Sequence, residues 1–266
     1  MDPSEGNLQG IALHEALHES GAYHAIHPFQ QSSVSYAPLL HSIRTVERTK
    51  NTRITSVLDI GCGVGWGVKA LWALNYVASG VDSSPYAISQ ATKRLVDSRD
   101  RSQQYHCILQ QCFIVASITK IPYPRQAADA ILCAGLMEHI DVRDVNFAIS
   151  EIVRVARHYL FIQIATHPQM PTMSSFRIPS RGNSTVSNII TKNYFARTPV
   201  PIERTLKPRM WWVSKFEKAG FIFIQNIPLP SPRCCAFVLK RNVSIKHPHV
   251  TSKLHRYPNT SPKSIQ

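Results

Sequence analysis

Three stretches of this 266-residue chain carry residue types at spacings that could do chemistry. The first is Val57-Leu58-Asp59-Ile60-Gly61-Cys62-Gly63-Val64-Gly65-Trp66-Gly67, an apolar run that ends in an Asp and continues with a glycine at every second position. Residues without a Cβ let backbone amides approach a ligand closely, and the carboxylate beside them suits a cationic group. The second is Asp82, at the end of the next apolar run, where a carboxylate can accept both hydroxyls of a ribose. The third is Glu138-His139, just after the apolar run Ala128 to Cys133. A histidine titrates near neutrality, so His139 can serve as a general base with Glu138 orienting it. Each stretch also has a plainer reading: a strand-to-helix turn for the glycines, a helix cap for Asp82, and a packed helix start for Glu138-His139.

The glycine register limits the ligand. A dinucleotide loop reads GxGxxG, but counted from Gly61 the last position is Trp66, and counted from Gly63 it is Val68. A shorter ligand without a pyrophosphate fits better, held by Asp59 on one side and Asp82 on the other. A cationic, phosphate-free nucleoside describes S-adenosylmethionine.

A competing pattern lies upstream. His14-Glu15-Ala16-Leu17-His18-Glu19-Ser20-Gly21-Ala22-Tyr23-His24 fits HExxHxxGxxH, in which histidines one helical turn apart bind zinc and the Glu activates water. Zinc peptidases of this pattern have a sheet-bearing subdomain ahead of the helix, whereas only 13 residues precede His14. A cap helix with exposed histidines is the preferred reading, and a zinc site at His14, His18 and His24 is the second.

The elements that must position these residues alternate between apolar runs and amphipathic stretches. Strands are expected over Ile54 to Ile60, Tyr76 to Val81, about Cys112 to Ala116, Ala128 to Cys133 and Tyr159 to Ile164. Helices are expected from about Val64 to Leu74, from Ser83-Ser84-Pro85 to about Val96, and from a cap at Asp141 to about Arg157. A helix from Arg209 to Ala219 stops at Gly220, and Phe221 to Gln225 and Cys235 to Leu239 form the last two strands around the proline-rich IPLPSP, an antiparallel pairing at a sheet edge. The pattern predicts an α/β fold with a mostly parallel, doubly wound sheet and ligands at the carboxyl ends of its strands. Residues 1–53 read as a helical cap or lid with Tyr23, Phe29 and Tyr36 as aromatic contacts, 54–240 as the ligand-binding domain, and 241–266 as a basic disordered tail. Within the domain, 166–207 is a long Pro/Ser/Thr-rich connection on the acceptor side.

Composition narrows the class further. With 44% apolar and 17% charged residues the chain reads as soluble and globular, and no stretch approaches a membrane span. The opening MDPSEGNLQG is polar and acidic, unlike a cleaved signal, so a cytoplasmic protein is expected. Six cysteines without CxxC spacing suggest reduced thiols. The net charge of +14 is uneven: residues 1–151 carry 12 Lys/Arg against 14 Asp/Glu, and residues 152–266 carry 18 against Glu203 and Glu217 alone. That asymmetry points to something anionic, or to a solubilising face with a basic tail.

Taken together the sequence resembles the class I S-adenosylmethionine-dependent methyltransferases, in particular the small-molecule, methyltransferase type 11-like group. VLDIGCGVGWG matches that family's first motif, VDSSPYAI its second, and ITKIPYPRQAADAILCAGLMEHI is similar to its third and fourth. EIVRVARHYLFIQI resembles the fifth, and LKPRMWWVSKFEKAGF the helix and turn before the sixth strand; the resemblance covers about residues 54–240. It implies a Rossmann-like seven-stranded sheet with an antiparallel last strand, and S-adenosylmethionine as cofactor. Carried over residue by residue, Gly61, Gly63 and Gly65 shape the turn beneath the methionine part and Asp59 orients its amino end. Asp82, with Ser83 beside it, holds the ribose, and Ser117 and Ile118 stand on the adenine side. Many relatives have an Asp where Ser117 stands, so this contact is either weaker or made by hydroxyl and backbone amide. Cys133 and Ala134 flank the sulfonium, and His139 and Glu138 face the acceptor as base and orienter.

The acceptor is less defined. Some relatives bind a metal through an extra Glu three residues before the Glu138-His139 pair, but Gly135 stands there, which disfavours a metal. The Pro-Pro-Tyr turn that stacks a flipped base is absent, since the segment reads Leu132-Cys133-Ala134-Gly135, and no Pro-Cys nucleophile occurs. Nucleic acid is therefore allowed on charge alone and not favoured. A small acceptor is expected, anionic or glycan- or lipid-linked, met by residues 166–207, by Trp211-Trp212 unless these pack in the core, and by Arg177, Arg181, Arg204 and Arg209. A methyltransferase-fold partner subunit without turnover is the remaining alternative.

Overall fold

The computed structural model describes residues 36–97, 106–167 and 204–243. Helix α1 (Ala37–Thr49), with Pro38 in its first turn, buries Leu39, Leu40, Ile43 and Val46 along one stripe. Strand β1 (Ser56–Ile60) leads through the glycine turn into α2 (Trp66–Ala73). Strand β2 (Val77–Asp82), helix α3 (Pro85–Asp97), the short β3 (Phe113–Val115) and the fully buried β4 (Ala128–Ala134) follow. A 3-10 turn at Met137–His139 precedes α4 (Val145–Val155), which runs directly into β5 (Ala156–Ala165). Helix α5 (Arg209–Lys218), β6 (Phe221–Asn226) and β7 (Cys234–Arg241) complete the order.

The seven strands form one sheet in the order β3-β2-β1-β4-β5-β7-β6. Strands β1 to β5 pair in parallel, and β7 pairs antiparallel with both β5 and β6, so the expected mostly parallel sheet with an antiparallel last strand is what forms. Period-two alternation divides the strand side chains between two cores. Leu58, Ile131, Cys133, Leu160 and Ile162 face a layer completed by α4 and α5. Val57, Ala130, Leu132, Tyr159 and Phe161 face a layer completed by α1, α2 and α3. The chain winds outward from β1 to β3 and returns on the other side of β1 as β4, so the winding reverses between β1 and β4, where α/β sheets open a crevice at their carboxyl ends.

Local chemistry moved some boundaries. The helix expected from Asp141 begins at Val145, because the Asp141 carboxylate instead accepts the Arg143 backbone N–H at 3.0 Å and its guanidinium, closing a turn of its own. The cysteines are not all thiols: Cys107 and Cys112, five positions apart, are disulfide-bonded ahead of β3, while Cys62, Cys133, Cys234 and Cys235 carry no disulfide. Among the described residues no helix is long and apolar enough to cross a membrane.

Candidate active site

The turn leaving β1 is latched to the end of β2, since the N–H groups of Gly61 and Cys62 both donate to the Val81 carbonyl at 2.8 and 3.1 Å. Gly63 then takes a left-handed φ of +51°, and a Cβ built there would meet nothing within 4 Å. The backbone is thus bare on the side where a ligand would lie. The other expected glycines abut protein: Gly61 lies against Leu136, and Gly65 caps α2 against Phe113 and Ala91. The tightest position is Gly67, which the sequence reading left without a role. A Cβ there would strike the Asp59 carboxylate and, at 2.8 Å, the Tyr36 ring.

Asp59 sits at 0% exposure, and neither carboxylate oxygen has a hydrogen-bond partner among the described residues. Burial, and then the charge of Asp82, push its pKa up to about 8. A buried carboxylate without donors is costly and calls for a cation. Asp82 is held differently: one oxygen accepts the Gly63 N–H and the other the Ser84 N–H, both at 2.9 Å. These two bonds fix the carboxylate across the mouth of the turn and leave it lone pairs for hydroxyl donors. Ser84, rather than Ser83, caps the following helix through its hydroxyl and the Ala87 N–H.

The chain after β3 borders the same edge. The Ala116 N–H donates to the Asp82 carbonyl, the Ser117 hydroxyl bonds Thr119 Oγ1 at 2.8 Å, and the Ile118 side chain is buried in the α4–α5 core. Ile118 therefore offers the edge only its backbone. This loop is pinned from α4: the Arg154 guanidinium donates to the carbonyls of Tyr123 and Ile121, and Glu151 accepts the Ile121 N–H. Arg154 and Glu151 also pair with each other at 2.6 Å, an i,i+3 contact visible in the sequence but unused in reading it.

At the end of β4 the Cys133 thiol is enclosed in the core, and burial first, then Glu138 and Asp59, raise its pKa well above the usual value. Glu138 is 2% exposed, with its Oε1 accepting the Ala165 N–H at the end of β5 at 3.1 Å and its carbonyl accepting the N–H groups of Arg204 and Thr205. It therefore joins three segments, a structural duty alongside the expected orienting one. His139 follows in the same 3-10 turn and is half-buried.

Of the residues expected to meet an acceptor, Trp212 is fully buried in the core, while Trp211 is half-buried, packs edge-on against it at 4.8 Å and lies under the Lys215 ammonium. Arg204 is exposed, and Arg209 bonds Asn226. Arg177, Arg181, Tyr23, Phe29 and the HExxHxxGxxH pattern at 14–24 lie outside the described residues; among those described, no three His, Cys, Asp or Glu side chains are grouped to hold a metal.

Residues 58–159 match the family model described as a methyltransferase domain. No curated protein matches the chain. Among solved structures, magnesium protoporphyrin IX methyltransferase from Synechocystis PCC 6803 with bound SAM is similar at 12% identity and a TM-score of 0.58, over 88% of this chain and 97% of that one. Its form with bound SAH gives 16% identity and a TM-score of 0.53, over 77% and 82%. A protein from Pyrococcus horikoshii OT3 gives 15% identity and a TM-score of 0.51, over 75% and 87%. At these identities the likeness is one of fold.

Proposed function

We propose that this chain is a class I S-adenosylmethionine-dependent methyltransferase and that it methylates a small acceptor held over the carboxyl ends of β4 and β5, a reading supported by the methyltransferase-domain match over residues 58–159. The observation that carries the cofactor assignment is the donor-less buried carboxylate of Asp59 beside the open backbone of Gly63. A cationic amino group at Asp59 offsets the cost of burying that charge. Asp82, already fixed by two backbone donors, accepts the ribose hydroxyls, and the backbone at Ser117 and Ile118 borders the adenine. When bound, S-adenosylmethionine supplies a methyl group on a cationic sulfur, activated for in-line displacement.

The remaining work belongs to alignment and proton removal. Glu138 fixes the 3-10 turn by bonding to Ala165, and so fixes where His139 stands; His139 takes the acceptor's proton. The acceptor is anionic or lipid- or glycan-linked, a reading supported by the eight Lys/Arg against the single acid Glu217 in residues 204–243.

The test supplies methyl-labelled donor to the protein with polar and lipid extracts and follows labelled products by mass spectrometry. A labelled product is expected, formed about 100-fold more slowly by His139→Ala with a changed pH profile. Donor binding without product in either extract would instead mark a partner subunit without turnover.

A further inference from the structure

We propose that the corner where α4 and α5 begin docks on an anionic phospholipid surface. This deepens the reading above by placing a lipid-phase acceptor at the site's rim, and it rests on that reading only for the purpose of docking.

Helices antiparallel to the strands they cover begin at the strands' carboxyl edge. Helix α4 follows β4, and α5 precedes β6, which is parallel to β5 because both are antiparallel to β7. Both helices therefore start at the edge that carries Asp82 and the 3-10 turn. The approaches to the two helices are also tied together, since the Thr205 hydroxyl donates to the Ile140 carbonyl, and farther along α5 Lys215, in its last turn, donates to Asn146 at 2.9 Å.

At this corner three large apolar side chains face solvent: Val142 just before α4 at 52% exposure, Phe147 in its first turn at 65%, and Met210 in the first turn of α5 at 61%. Nearby α5 residues show that this exposure is not forced by the helix, since Trp212, Val213 and Phe216 are buried. Beside the three in sequence stand Arg143, Arg204, Lys207 and Arg209, against the acids Asp141 and Asp144; Arg143 pairs with Asp141 and Arg209 bonds Asn226, while Arg204 and Lys207 are exposed. Apolar side chains flanked by cations match a bilayer interface, where the Phe147 ring and the Met210 thioether enter the headgroup boundary and the cations meet phosphate and carboxylate.

Sedimentation of the full chain with vesicles tests this. Binding is expected to vesicles of phosphatidylcholine with 30% phosphatidylserine, to be weak on phosphatidylcholine alone, and to be released by 0.5 M NaCl. The double variant Phe147→Ser, Met210→Ser is expected to lose about tenfold or more in vesicle affinity, with S-adenosylhomocysteine binding and thermal midpoint kept. Equal vesicle binding by that variant would assign the attraction to the basic tail and overturn the proposal. So would no binding to either vesicle, or a concentration-dependent dimer abolished by the same substitutions. Because these readouts need no turnover, their failure leaves the methyltransferase reading untouched, and a missing labelled product leaves the docking result standing.

Discussion

Asp59 and Asp82 are two carboxylates at the same strand ends with opposite surroundings. Asp82 accepts two backbone N–H groups, whereas Asp59 has none and is pushed up to about 8 by burial and then by Asp82. Between the ordinary carboxylate value and 8, the folded chain holds a proton at Asp59 that the unfolded chain has released. Stability therefore falls as pH rises from about 4 to 8 and levels off above, by up to about 1.4 kcal/mol per pH unit from this group. Asp59→Asn is expected to remove that slope in denaturant midpoints taken from pH 5 to 8. A ligand ammonium favours the ionised form, so S-adenosylhomocysteine binding at pH 7 is expected to release close to one proton. Calorimetry in two buffers of different ionisation enthalpy reads this directly, and a buffer-independent enthalpy would show that no ammonium meets Asp59. Asp82→Ala is expected to weaken the same ligand roughly 30-fold or more, since charge-assisted hydrogen bonds are lost. The glycines separate by role: Gly67→Ala collides with Asp59 and Tyr36 and should cost about 2–3 kcal/mol of stability, while Gly63→Ala meets only its left-handed backbone cost of about 1 kcal/mol and acts mainly on binding. Urea midpoints paired with ligand titrations distinguish the two.

The elements themselves were largely legible. Most of the seven strands are apolar runs bounded by turn residues, β5 excepted because α4 runs directly into it, and the expected spans fall within a few residues of those observed. What sequence could not show was pairing across the chain. Asp141 looked like a helix cap because it precedes an apolar-periodic stretch, yet its carboxylate closes on Arg143 two residues away. Cys107 and Cys112 sit in a polar stretch whose five-residue spacing matches no familiar framework, so only the folded loop brings them together. Glu138 reads as a chemical neighbour of His139, and its bonds to segments 27 and 66 residues later have no local signature. Arg154 is the clearest omission: one guanidinium ties the loop after β3 to α4. Arg154→Ala is expected to cost about 2 kcal/mol and to weaken S-adenosylhomocysteine three- to tenfold without touching it. Protection of the Ile121 and Tyr123 amides from hydrogen exchange should fall with it; unchanged protection would show that the loop holds itself.

At the scale of the sheet, its carboxyl edge gathers the buried Asp59 carboxyl without donors, the bare backbone of Gly63 and the exposed apolar side chains, while the amino edge is closed by paired contacts. There Asp129 accepts the Thr55 and Ser56 N–H groups and pairs with Arg157 at 2.6 Å. Stability is thus spent at one edge and secured at the other, so a ligand should stabilise the fold as a unit. At about 100 times its Kd, S-adenosylhomocysteine is expected to add about 2.7 kcal/mol, or roughly 5–10 °C in Tm, and at the same concentration far less for Asp82→Ala. Differential scanning calorimetry reads both.

Glu138 carries one more implication. Its carboxylate receives the last amide of β5 and its carbonyl receives Arg204 and Thr205, so the chain that departs after Ala165 comes back to the residue it left. Departure and return share a single rivet at Glu138. Loop-closure entropy grows only slowly with length, by about 0.6 kcal/mol per doubling. On the proposed reading, the chain joining Thr166 to Arg204 is therefore expected to tolerate lengthening, shortening or exchange as a cassette while Asp59 and Asp82 stay in place, so that one frame is refitted to new acceptors.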